Sequence, residues 1–168
     1  MPRTFEISVD SPATVVQILS AFSDERYWAD RLDEFTGGSA TVVSLSTDST
    51  GTVNVTIALG LLRDRLPKMV SQFHSGDLEM IREETWCWIA DGRVRGAVGV
   101  SVTGAPVSAV GRGLLRTSDT GSRMTYAGSV AVNVPLLGGR IETFMGRQTV
   151  EEIVRLQRFT NDWIAGHY

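Results

Sequence analysis

Between Gly38 and about Val134, apolar and polar residues alternate in successive runs, and each run ends in a short turn signal. A period of two puts alternate side chains on one face of a strand, and short turns join strands that run antiparallel. Val53, Val55, Ile57 and Leu59 alternate with Thr52, Asn54, Thr56 and Ala58, and Asp48-Ser49-Thr50-Gly51 turns into them from a strand at Ala40–Thr47. Further strands are expected over Leu78–Ile89, Val94–Val102, Val107–Arg116 and Met124–Val134. Turns fall at Asp91-Gly92, Gly104-Ala105-Pro106 and Ser118-Asp119-Thr120-Gly121. So many antiparallel strands in a short chain favour a strongly bent sheet. Gly96, Gly99, Gly111, Gly113 and Gly128 lie inside strands, where glycine marks a bulge, a bend or a close backbone approach.

The flanks of this region have other periods. Phe5, Ile7 and Val9 form a first strand, which brings the count to about seven. Ser11-Pro12 then reads as an N-cap with proline at the first helical position, ahead of Val15, Ile18, Leu19 and Phe22 at helical spacing. Ser23-Asp24-Glu25 starts a second short helix carrying Tyr27, Trp28 and Leu32. Leu61–Ser75 is the longest irregular connection, is rich in apolar residues, and has room for a helical turn after Leu66-Pro67. After Pro135, which suits a strand end, a long helix is expected from about Gly138 to Ile164. Ile141, Met145, Leu156, Phe159 and Trp163 share one side of it, as in a helix packed on a sheet.

At 168 residues and 42% hydrophobic content, the chain is expected to form one α+β domain over residues 1–168. A formal charge of −3, with basic residues scattered among acids, provides no stripe for a phosphate backbone, so nucleic acid is not an expected partner. No apolar run opens the chain and none approaches the ~20 residues of a membrane span, so a cytoplasmic protein is expected. Cys87 is the only cysteine, which rules out an intrachain disulfide and thiolate zinc sites. The two histidines, His74 and His167, have no ligand partner at helical or strand spacing, so neither a metal nor a cofactor is expected.

The order strand, two short helices, six strands and long helix resembles the START-like superfamily, also called SRPBCC or polyketide-cyclase-like, with its helix-grip fold. Leu66-Pro67 with Phe73, Glu84-Thr85-Trp86, Gly104-Ala105-Pro106, Gly111 to Leu114, and above all Val134-Pro135-Leu136-Leu137-Gly138-Gly139-Arg140-Ile141-Glu142 are similar to an uncharacterised actinobacterial family within it. The order matches along nearly the whole chain, the sharper motifs along about half. The resemblance implies a deep pocket between sheet and helix for lipids, polyketides, hormones or aromatic compounds. It does not assign chemistry, because the scaffold serves carriers, regulators and some enzymes.

Trp86 and Trp88 share a strand face with Arg82 and Glu84. Either that face looks into the cavity, or the tryptophans are core and the charged pair lies where the strand becomes exposed; the second is the plainer outcome for the pair. Glu152 falls between Met145 and Leu156 on the apolar side of the long helix, with Gln148 and Thr149 nearby. A carboxylate there contacts a ligand or acts as an acid or base, unless Gly146 permits a bend that turns it to water, the commoner fate of an ionisable group. The expected cavity wall is Trp28, Met69, Phe73, Arg82, Glu84, Trp86, Trp88, Val98, Val100, Tyr126, Met145, Thr149, Glu152 and Leu156. No nucleophile elbow or phosphate loop is present, and Gly111-x-Gly113 lacks the third glycine of a dinucleotide site. Non-catalytic binding of a hydrophobic or amphipathic molecule is therefore the leading expectation. The alternatives are a cyclase- or dehydratase-like enzyme using Glu152, Arg82, Glu84 or His74, and an interaction module built on Leu61–Phe73.

Overall fold

Seven strands in the order β1-β7-β6-β5-β4-β3-β2 form one antiparallel sheet in the computed structural model, which describes residues 3–61, 78–133 and 138–168. Strand β1 (Arg3–Ser11) leads into helices α1 (Val15–Phe22) and α2 (Glu25–Thr36). Strands β2 (Ala40–Thr47), β3 (Val53–Leu61), β4 (Leu78–Ile89), β5 (Arg93–Thr103), β6 (Val107–Ser118) and β7 (Gly121–Val132) then follow as a meander. The last strand returns to pair with the first, Ile7 opposite Tyr126 and Phe5 opposite Gly128. Helix α3 (Gly138–His167) packs on β1, β7 and α1. The expected α+β helix-grip architecture is what the chain adopts.

The turns follow their residues. Asp48 accepts the backbone N–H of Thr50 and of Thr52 through one carboxylate oxygen, and Gly51 takes a left-handed φ of 80°. The N-cap of α1 is a correction. Ser11 still belongs to β1, where it pairs with Ser122, and the cap is Thr14, which exchanges bonds with Gln17 in a capping box. Proline at position 12 therefore precedes the helix instead of opening it. Helix α2 starts within the expected Ser23-Asp24-Glu25, with Asp24 as its cap.

The principal core lies where α1, α2 and the C-terminal part of α3 meet the sheet. Ile18, Phe22, Tyr27, Trp28, Trp86, Val94, Leu115, Met124 and Trp163 are buried there. A second, smaller cluster of Val130, Val132 and Ile141 fixes the start of α3. There Gly138 lies against the Val132 carbonyl, which an added Cβ would meet at 2.5 Å. The buried Glu142 accepts the Val132 N–H at 3.0 Å. Residues 134–137, including Pro135, and residues 62–77, with Met69, Phe73 and His74, lie outside the described residues.

Candidate functional site

Between the two clusters the inward face of the sheet is hollow, and strand register explains why. One cross-strand row runs Trp86, Gly96, Gly113, Tyr126 through β4, β5, β6 and β7. The Trp86 ring lies across both glycines: a Cβ at Gly96 would overlap it, and one at Gly113 would come within 2.9 Å. The ring meets Phe22 at 5.0 Å between centroids and Tyr126 edge-on at 6.4 Å. This row is filled.

The next rows are not. Glu84, Val98, Gly111 and Gly128 stand in one, and Arg82, Val100, Ala109 and Val130 in the next. Small residues at the centre leave a cavity of about 340 Å³ beneath α3. Val98, Val100, Val102, Val107 and Ala109 form its floor, with Tyr126 and Val130 beside them and Met145, Ile153 and Leu156 opposite. A Cβ added at Gly111 would make only ordinary contacts, at 3.7 Å or more, so this position opens onto the space. The exposed Phe144, Gln148 and Glu152 of α3 stand at its rim. The Thr149 hydroxyl is turned back onto the Met145 carbonyl at 2.8 Å.

A buried charge cluster closes the inner end. Glu84, 3% exposed, accepts from Arg82 Nε at 2.7 Å and Arg31 at 3.3 Å through one oxygen, and from the Trp86 indole N–H at 3.1 Å through the other. Arg31 comes from α2 and stacks 4.6 Å from the Trp28 ring centroid. Burial alone would raise the Glu84 pKa, but Arg82 and Arg31 hold it below the ordinary value of 4.5. Burial likewise opposes charge on Arg31, and Glu84 outweighs it, raising the pKa. Tyr126 is pushed up, first by burial and then by the Glu84 charge, so its phenol stays protonated.

Of the expected wall residues, Arg82, Val98, Val100, Tyr126, Met145, Thr149, Glu152 and Leu156 line this cavity. Trp28, Glu84, Trp86 and Trp88 stand elsewhere. Trp28 is core between α1 and α2, its indole bonded to the Phe22 carbonyl. Trp86 is swallowed by the glycine row, and Trp88 reaches the far end of the sheet, 38% exposed beside Gly51. The expectation that Arg82 and Glu84 lie at an exposed strand end is corrected: Glu84 is buried because α2 supplies a second cation above it. Arg31 was missed. Its signal was a charge placed within the apolar stripe Tyr27, Trp28, Leu32, where only a buried counter-charge makes sense. His167 is occupied structurally, stacked on Trp163 at 4.0 Å and bonded to its carbonyl.

Residues 6–164 match the model of a family described as a protein of unknown function, DUF2505. Uncharacterised proteins of Mycobacterium tuberculosis and Mycobacterium bovis are each 34% identical over 174 residues, covering 99% of both chains. Among solved structures, a Thermus thermophilus protein aligns over 98% of each chain at a TM-score of 0.58 and 12% identity. A START superfamily protein from Mycobacterium smegmatis gives 0.56 at 10% identity, over 98% of this chain and 99% of its own. The di-domain ARO/CYC BexL from the BE-7585A biosynthetic pathway gives 0.60 at 15% identity, over 96% of this chain and 49% of that one. These likenesses show a START-like fold.

Proposed function

We propose that this chain, which belongs to the DUF2505 family, binds a hydrophobic or amphipathic small molecule in the cavity beneath α3 and does not transform it. The observation that carries this is a hollow of about 340 Å³ walled mainly by valine, alanine and methionine side chains. That size falls in the ~300–1,000 Å³ range of small-molecule sites, and such walls with a few polar groups suit a mostly apolar occupant. A cyclase-like enzyme would need an acid and a base converging on one point of the cavity. Glu84 is engaged by three donors and Glu152 stands in water at the rim, which favours binding over catalysis.

Titration with the neutral dye Nile red tests this. Saturable fluorescence enhancement is expected for the wild type. Gly111→Leu, which fills the floor without backbone strain, should weaken it at least about tenfold, the effect of losing one buried apolar contact region. Gly99→Ala, where added atoms meet open space, serves as the control and should leave binding unchanged. Absence of saturable binding, or equal binding by Gly111→Leu, would refute the proposal.

A further inference from the structure

The walls of the cavity are mostly apolar, yet among the described residues one cation faces into it. Arg82 lines the space while its Nε is held by Glu84. Its terminal guanidinium nitrogens have no hydrogen-bond partner among the described residues. Glu84 is shared with Arg31, so two guanidinium groups stand against one carboxylate and the cluster keeps one positive charge. Arg31 is enclosed, its side chain 8% exposed, whereas Arg82 is 22% exposed, so the surplus charge reaches the cavity through Arg82. Tyr126 stands on the same wall and, being protonated, is a second donor. The Glu152 carboxylate also borders the space, but it is exposed at the rim and solvated by water.

A low-dielectric hollow with an uncompensated cation at its inner end discriminates by charge, because an anion there gains an ion pair and a bidentate bond that a neutral group cannot match. We propose that the occupant is an amphipathic monocarboxylate, bound with its apolar body under α3 and its carboxylate on the terminal nitrogens of Arg82. The Glu84 carboxylate acts as a positioning group: it fixes Nε and so aims the remaining fork of the guanidinium outward. This rests on the binding function proposed above and narrows it to one head group.

The test compares 11-(dansylamino)undecanoic acid with its methyl ester, which keeps the apolar body and replaces the carboxylate with a neutral group. The wild type is expected to bind the acid about ten- to a hundredfold more tightly, the usual worth of a hydrogen bond to a charged group. Arg82→Gln should bring the acid down to about the ester's affinity and weaken the ester far less, and Arg82→Lys should retain only part of the preference, because one ammonium cannot both hold Glu84 and fork onto the ligand. Glu84 keeps Arg31 and Trp86 in both variants, so the buried carboxylate stays paired. Equal affinity of acid and ester for the wild type, or equal weakening of both by Arg82→Gln, would overturn the inference. If the ester binds as well as the acid and Gly111→Leu blocks both, the cavity still binds ligands and only the carboxylate assignment falls. If neither probe binds while Nile red does, the carboxylate assignment falls and the binding function stands; if Nile red fails as well, both proposals fall.

Discussion

Glu84 is the residue on which the interior electrostatics turn. In the folded protein its pKa lies below 4.5, and in the unfolded chain it returns to that ordinary value. Its contribution to stability is therefore fully present above pH 4.5 and is lost as the pH falls through the folded value. Chemical denaturation from pH 7 to pH 3 should show that loss, and Glu84→Gln should flatten it. At pH 7 the same variant should cost about 3–5 kcal/mol, because it leaves Arg31 buried without its counter-ion. A variant as stable as the wild type would contradict this account. The group was hard to read in the sequence because a glutamate in an alternating strand looks solvated until its partner is known. That partner sits in α2, in another element of the fold.

At the scale of elements, the run Gly138 to Glu142, the sharpest motif in the sequence, acts as a dock. Gly138 permits close approach to the Val132 carbonyl, and Glu142 accepts the amide next to it. Glu142→Ala should leave a buried N–H unpaired and cost about 1–3 kcal/mol. Exchange of the Val132 amide hydrogen should quicken at least tenfold, and unchanged exchange would show that the dock is held by other means. Strand alternation and helix periodicity identified the other elements because a half-buried surface imposes them locally. The start of α1 was misplaced because Ser11 and Thr14 are both competent caps, and only pairing of Ser11 with β7 decides between them.

For the whole molecule, the sheet's order and the seat of α3 set where matter is missing. The helix rests on β1, β7 and α1 and leaves the middle strands facing the hollow. That strands and helix would enclose something was implied by the family resemblance that the element order carries, but not where the enclosed space would end. Emptiness depends on which small residues align across four strands, and register is a tertiary property. A ligand bound only to the folded state should stabilise it by about 2.7 kcal/mol at a hundredfold excess over Kd, or roughly 5–10 °C in Tm for a chain of this size. Thermal denaturation with dansylaminoundecanoic acid should show that shift in the wild type and at most about half of it in Gly111→Leu at the same ligand concentration. An equal shift in both would place the binding outside the cavity.

The row of Trp86 lying across Gly96 and Gly113 also constrains how such a protein can diverge. One indole stops the hollow, and two absent side chains let it lie there, so the depth of the interior is a trait held jointly by three positions on three strands. Enlarging either glycine alone collides with the ring, and shrinking the tryptophan alone removes the wedge and strands the Glu84 oxygen it satisfies. A deeper chamber is therefore reached only by concerted substitution. A shallower one needs a single step, at Gly111.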